Sequence, residues 1–273
     1  MIFVKKGTDN KLKTFNKDNL IIVADFDATL TTSNSKTSWS VLTESGSMPK
    51  EFYDEINTLY RKYAPFELNM LITESLKEDL MAEWSKVEFE TLFKHKYKEE
   101  CIQEAFKKNS HCIKLRKGVK NFLTLLHNLN IPIFIVSAGI SNVIEIVLKN
   151  NNAMYDNIKI ISNKIIFENK IATRLENELV HIFNKNVIAE QSLAPILNTR
   201  NKVLLFGDII QDTTMCGKIS DNNIIKVGFF EKPFDEMFPY YKSQFDLVCT
   251  NNTSALEIAK VILGKSKGIK YLY

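Results

Sequence analysis

Short apolar runs break this chain at 21–24, 131–136, 203–206 and 224–229. Each is four to six residues long and rich in Ile, Val, Leu and Phe, which predicts buried strands. Between them the apolar residues recur three and four apart, the spacing of one helical face. That pattern predicts helices over 51–62, 73–85, 89–107, 119–129, 190–197 and 255–263. Leu59, Leu68, Leu71, Ile72, Leu76, Leu80, Met81 and Trp84 make up the expected buried face of the early helices. Residues 158–176 alternate apolar and polar with a turn near Glu168-Asn169, as in a hairpin or short strands. Residues 1–19 are polar and rich in Lys and Asn, a lead-in, and the basic stretch from Gly264 reads as a frayed tail.

The spacing of the runs sets the domain plan. The first strand ends at Asp25 and the second starts near Ile131. That interval is too long for one crossover helix, so it must hold structure of its own. A helical cap over 33–115, inserted into a core of 1–32 and 116–273, is the simplest account. Strands alternating with helices give an α/β, mostly parallel, doubly wound sheet. In such sheets ligands gather at the carboxyl ends of the strands, where this reading puts Asp25, Ser137 and Asp208.

Composition narrows the function. Hydrophobic residues at 45% and charged residues at 25% are ordinary for a globular protein, and 273 residues can bury a core with an insert. A net charge of +4 without a basic cluster gives no nucleic-acid footprint. Cys101, Cys112, Cys216 and Cys249 are far apart with no C-x-x-C pair, which argues against a zinc site or a disulfide framework. No apolar run approaches the ~18 residues of a membrane span. Lys5 and Lys6 follow only three apolar residues, so no signal-peptide core is present and a cytoplasmic protein is expected.

The chemistry starts at Ala24-Asp25-Phe26-Asp27-Ala28-Thr29. Side chains alternate along a strand, so Asp25 and Asp27 share a side only if the strand stops and turns there. Two buried carboxylates repel, and a hard divalent cation such as Mg2+ between them converts that penalty into a binding site. One carboxylate can then attack phosphorus while the other handles a proton. A strand ending in a solvated acidic turn would give the same residues.

Three later segments favour the first alternative by their order. Ile133-Phe134-Ile135-Val136-Ser137-Ala138-Gly139 is a strand ending in a small hydroxyl residue. Lys185 sits in His181-Ile182-Phe183-Asn184-Lys185-Asn186. Val203-Leu204-Leu205-Phe206-Gly207-Asp208 ends in an acid, with Asp212 four residues later. With D-x-D-x-T at 25–29, this set resembles the haloacid dehalogenase-like phosphohydrolases, with their Rossmann-like core. Ser137 through Glu145, Leu179 through Asn186, Lys159 through Asn163, and the tail from Phe234-Asp235-Glu236-Met237 through Phe245-Asp246-Leu247-Val248 resemble the cytosolic 5'-nucleotidase III (pyrimidine 5'-nucleotidase) family. The resemblance runs from about Leu20 to about Leu263 and is weakest over 32–110.

It implies a Mg2+-dependent 5'-nucleotidase acting on pyrimidine or 7-methylguanosine monophosphates through an aspartyl-phosphate. Asp25 would be nucleophile and metal ligand. Asp27 would be general acid and then base, lending its backbone carbonyl to the metal. Asp208 would complete the coordination, and Asp212 would orient a metal water or stand behind the metal's ligands. Lys185 would screen the phosphoryl charge. Ser137 and the amides of Ala138 and Gly139 would grip phosphate, with Gly139 opening a helix whose N-terminus favours anions. Thr29 would orient Asp25 or close the turn. Glu67 aligns with the acid that holds the nucleobase, and Glu83-Trp84 resembles the family's E-W pair. His181 reads as a packed histidine.

Three departures stand out. The family's G-D-S-x-G-D is Gly207-Asp208-Ile209-Ile210-Gln211-Asp212 here, without the serine and second glycine. The serine that touches the base a few residues after E-W falls near Glu88. The segment after Thr31 is shorter and lacks a cysteine-bearing loop. A phosphatase for another small phosphomonoester, or a catalytically weak nucleotide-binding relative, fits the same core, so the cap must decide the substrate.

Overall fold

A computed structural model describes residues 2–67, 69, 71–109, 112–217, 219–231, 236–250, 254 and 258. The helix expected over 255–263 and the tail beyond it lie outside the described residues, except Ile258, which is helical and buried, and the Phe234-Asp235 pair lies outside them too.

The four expected strands lie in one seven-stranded sheet. Its members are β1 (Ile2–Val4), β2 (Leu20–Ala24), β3 (Ile133–Ile140), β4 (Ile158–Asn163), β7 (Lys202–Gly207), β8 (Ile224–Phe229) and β9 (Leu247–Cys249), in the order β1-β9-β8-β7-β2-β3-β4. All neighbours are parallel except β1 and β9. Both faces of a parallel sheet are covered, which is why these strands read as unbroken apolar runs. Alternation sorts them: Ile22, Ala24, Ile133, Ile135, Leu204 and Phe206 join one core. Ile21, Val23, Phe134, Val136, Val203 and Leu205 join the other. Helices α5 (Val119–Asn128) and α6 (Ser141–Asn150) cover the first face, and α7 (Lys185–Leu197) the second.

From β2 the order runs to β3 and β4 on one side and to β7, β8 and β9 on the other. The carboxyl end of β2 is therefore the topological switch point, where an open α/β sheet leaves a crevice.

Four expectations are corrected. Residues 1–19 are not a lead-in: β1 pairs antiparallel with β9, closing that sheet edge, and α1 (Thr8–Leu12) follows. The helices expected over 73–85 and 89–107 divide elsewhere. Helix α3 (Glu74–Lys94) runs through Ser85–Phe89 without a break, and the chain turns at His95–Lys98 before α4 (Glu99–Lys108). Lys96 at φ 51° makes that turn, which no Gly or Pro announces. Helix α2 (Lys50–Glu67) continues past Pro65. Of the expected apolar face, Met81 is buried, but Leu71 and Leu76 are exposed, and Leu68 lies outside the described residues.

The hairpin is present as β5 (Ile165–Glu168) and β6 (Ile171–Leu175), turned by left-handed Asn169 and Lys170. Strand β4 before it belongs to the main sheet. The hairpin reaches the helical region, since Ala172 N donates to Tyr97 O at 2.8 Å and Glu99 N to Lys170 O at 2.9 Å. The four cysteines are buried and free. No helix among the described residues is long and apolar enough to cross a membrane.

Candidate active site

The strand β2 stops at Ala24, and the chain turns at once. Asp25 stays extended at φ −69°, ψ 164°, and Ala28 takes a left-handed φ of 59°. A non-glycine residue there is strained, and three contacts hold it. Ala28 N donates to Thr31 Oγ1 at 2.9 Å. The buried Arg116 guanidinium donates to Ala28 O at 2.5 Å and to Thr29 O at 2.9 Å. Arg116 also pairs with Glu231 at 2.6 Å and lies 4.2 Å over the Phe229 ring. No sequence motif marked Arg116. Its only sign was a lone arginine just before the Gly118 that opens α5.

This turn aims Asp25 and Asp27 to the same side, and the other strand ends meet them. Lys185 Nζ donates to Asp25 Oδ1 at 2.6 Å and to Asp212 Oδ1 at 2.9 Å. Thr29 Oγ1 donates to Asp208 Oδ1 at 3.0 Å, so Thr29 orients Asp208 rather than Asp25. Asp212 is fully buried, and its Oδ2 accepts the Asp208 and Ile209 amides at 3.1 and 3.2 Å. The altered 207–212 loop is thus closed by Asp212 itself, without the missing serine and glycine. A Cβ on Gly207 would collide with the Asp212 side chain, which requires glycine there. Lys185 reaches the acids because α7 begins at Lys185, not at 190 as expected, with Asn184 as its cap.

Asp27 is held by a residue the sequence did not flag. Ser38 N and Oγ donate to its two oxygens at 2.9 and 2.6 Å, and Ser38 Oγ accepts from Ile140 N at 3.2 Å. Ser137 Oγ accepts the Gly139 amide at 3.0 Å. Gly139 does not open a helix: β3 runs to Ile140, and α6 starts at Ser141. A Cβ at Gly139 would strike Ser38 Oγ, so the glycine lets the Ser38 loop approach β3. His181 is packed as expected, with its Nδ1 buried and unpaired, and burial lowers its pKa.

The electrostatics of the cluster suit a bound cation. Asp25, Asp208 and Asp212 each offer an oxygen within 4.8 Å of the others. Three carboxylates face one ammonium, Lys185. Burial pushes Asp25 up to about 7 despite that ammonium. Burial also raises Asp208 well above its ordinary range, with Asp212 and Asp25 adding repulsion. Burial raises Asp27 against the Ser38 hydrogen bonds. Burial alone would lower the Lys185 pKa, but Asp212 and Asp25 outweigh it and keep Lys185 charged. An all-oxygen cluster with surplus negative charge fits a hard divalent cation.

Asp25, Asp27, Asp208 and Lys185 floor a cavity of about 310 Å³ whose opposite wall comes from α2 and α3. Glu67, Trp84 and Glu88 line that wall, with Trp39 beside them. Glu67 ends α2 at the mouth. Partial desolvation raises its carboxyl and Lys77 opposes this, but the residue is exposed, so solvent screens the effect. Trp84 both packs and lines: it stacks on Tyr63 at 6.1 Å, and Tyr63 Oη donates to Glu83 at 2.6 Å, tying α2 to α3. A larger hollow of about 680 Å³ runs along β4, but none of the strand-end acids lines it.

Arg116→Ala would leave the buried Thr29 carbonyl and the half-buried Ala28 carbonyl without this donor and Glu231 without its cation. We expect a loss of roughly 3 kcal/mol in unfolding free energy and a fall of up to about 10²-fold in kcat as the Asp25–Asp27 turn relaxes. Denaturant titration and steady-state rates read both. An unchanged kcat would show that the turn holds without Arg116.

The family profile described as Pyrimidine 5'-nucleotidase (UMPH-1) matches residues 26–267. The 7-methylguanosine phosphate-specific 5'-nucleotidase of Homo sapiens is 30% identical over 240 residues, covering 85% of this chain and 79% of the relative. That of Gallus gallus is 28% identical over 266 residues, covering 94% and 91%. The crystal structure of cytosolic 5'-nucleotidase IIIB bound to cytidine superposes with a TM-score of 0.85 at 24% identity, covering 97% of this chain and 93% of that one.

Proposed function

The chain belongs to the pyrimidine 5'-nucleotidase family, and we propose that it is a Mg2+-dependent enzyme releasing phosphate from pyrimidine or 7-methylguanosine 5'-monophosphates. The observation that carries this reading is the strand-end cluster of Asp25, Asp208 and Asp212 around Lys185, opening into a cavity with an aromatic and acidic far wall.

Asp25, Asp208 and Asp212, with the Asp27 carbonyl, are the groups that would hold the metal. When bound, the cation neutralises carboxylates and phosphate oxygens so that an anionic nucleophile can approach a dianion. Asp25 attacks phosphorus and becomes the aspartyl-phosphate, splitting one difficult displacement into two. Asp27 gives its proton to the departing nucleoside oxygen and then takes one from the hydrolytic water. Burial favours its protonated form, and Ser38 fixes its direction. Lys185 holds Asp25 in place and screens the phosphoryl charge. Ser137 and the amides at Ala138 and Gly139 form the phosphate side of the cavity, and the Gly139 amide must leave Ser137 Oγ to reach a phosphate oxygen. The helices over 33–115 act as a cap that shields the reaction from water. A cytosolic location accords with this substrate class.

Glu67 reports on the base. A carboxylate on a base N–H makes a charge-assisted hydrogen bond worth roughly 1.5–3 kcal/mol, or about 10–150-fold in kcat/KM. Glu67→Ala should lower kcat/KM for CMP or 7-methyl-GMP by that factor and change p-nitrophenyl phosphate hydrolysis little. Equal losses on both kinds of substrate would make Glu67 a structural residue. No loss on either would remove it from the base site.

A further inference from the structure

Glu88 is 8% exposed and lines the same cavity from α3, one turn beyond Trp84. No lysine or arginine among the described residues pairs with it. The groups that favour its charge are the indoles of Trp84 and Trp39, and Trp84 Nε1 is buried without an acceptor at bonding geometry. Burial, reinforced by Glu67, pushes Glu88 up to about 8. A buried carboxyl without a cation is a standing penalty, which the two indoles offset only in part. The wall it shares with Glu67, Trp84 and Trp39 has two acids, two indoles and no cation.

Building on the nucleotidase reading, we propose that Glu88 is the specificity-determining residue of the base pocket. It selects nucleotides whose base is cationic or readily takes a proton, 7-methylguanine or cytosine, over uracil. Cytosine presents a basic ring nitrogen beside an amino group, so one carboxyl can give its proton to the first and accept from the second. 7-Methylguanine presents two adjacent N–H donors to an ionised carboxylate, and its ring charge suits an indole face. Uracil can pair only as a neutral imide, its N–H to the carboxyl C=O and its ring carbonyl to the carboxyl O–H, and it has no nitrogen that takes the proton, so no ion pair forms. The selection works by the ion pair that a cationic or protonated base makes with the buried acid and that uracil cannot make.

The test is a comparison of kcat/KM ratios, CMP over UMP and 7-methyl-GMP over GMP, in the unaltered protein and in Glu88→Gln. Glutamine keeps the volume, and its amide can pair with cytosine and uracil alike. The unaltered protein should prefer CMP by about tenfold or more, and Glu88→Gln should bring both ratios close to one. Ratios are insensitive to a general loss of active enzyme, and Glu88→Ser gives a second neutral replacement. An unaltered protein that takes CMP and UMP equally, or a variant that keeps the original ratios, would overturn the proposal. An unaltered protein that hydrolyses p-nitrophenyl phosphate but no nucleotide would instead overturn the nucleotidase reading, and this proposal with it.

Discussion

Asp25→Asn is expected to reduce phosphate release by roughly 10⁴-fold or more while leaving the protein folded. An amide cannot form the phosphoenzyme, and no other carboxyl occupies its place between Lys185 and the end of β2. The fold should tolerate the change well. Asp25 is a buried acid whose burial and whose neighbours Asp212 and Asp27 all disfavour its charge, opposed by Lys185. Replacing it by a neutral isostere removes repulsion in a cluster with surplus negative charge. Without divalent metal, the melting temperature should therefore hold or rise as activity disappears. A variant that loses activity and stability together would argue that Asp25 is a structural member of the Lys185 ion pair. A variant that keeps turning over would remove it as nucleophile.

Asp27→Asn should be the next most damaging change, lowering kcat for a nucleotide by about 10²–10⁴-fold. Asparagine can still accept from Ser38 through its carbonyl oxygen, so the turn should survive, but it has no proton to give the leaving alkoxide. p-Nitrophenolate leaves without that help. Single-turnover phosphorylation of the enzyme by p-nitrophenyl phosphate should thus be nearly normal in Asp27→Asn, while phosphorylation by CMP is slow. Equal slowing with both substrates would contradict the acid role and shift attention to the Ser38 loop.

The parts of the site that were legible are those in which one residue reports on both strand and chemistry. Asp25, Ser137 and Asp208 each follow an apolar run, so the run that predicted the strand also placed the residue at its carboxyl end. Lys185 was legible only through the string around it, because a lysine carries no periodic signal. Arg116 and Ser38 were not legible. Arg116 serves backbone carbonyls of a turn 87 residues away, and Ser38 serves a carboxylate from an irregular loop. Contacts of that kind depend on how the loop closes, not on hydrophobic period. The same limit hid β1, whose three residues are half-buried and become a strand only because the β9 edge accepts them. The unbroken α3 was missed because the polar Ser85-Lys86 pair ahead of the buried positions 88, 89, 91 and 92 mimicked a break and a new start at Phe89. Glu88 was visible as a departure, but its burial came only from the packing of α3 over the strand ends.

We place a divalent-metal centre for phosphomonoester hydrolysis at Asp25, Asp208 and Asp212. Phosphate release from CMP, followed in EDTA and then with Mg2+ or Ca2+ added in excess, tests it most directly. Activity should vanish in EDTA and return with Mg2+. Ca2+ should restore little, because its larger and looser oxygen shell does not hold the octahedral geometry that Mg2+ imposes. Full activity in EDTA would contradict the claim and leave the three carboxyls without the cation that their burial and crowding call for.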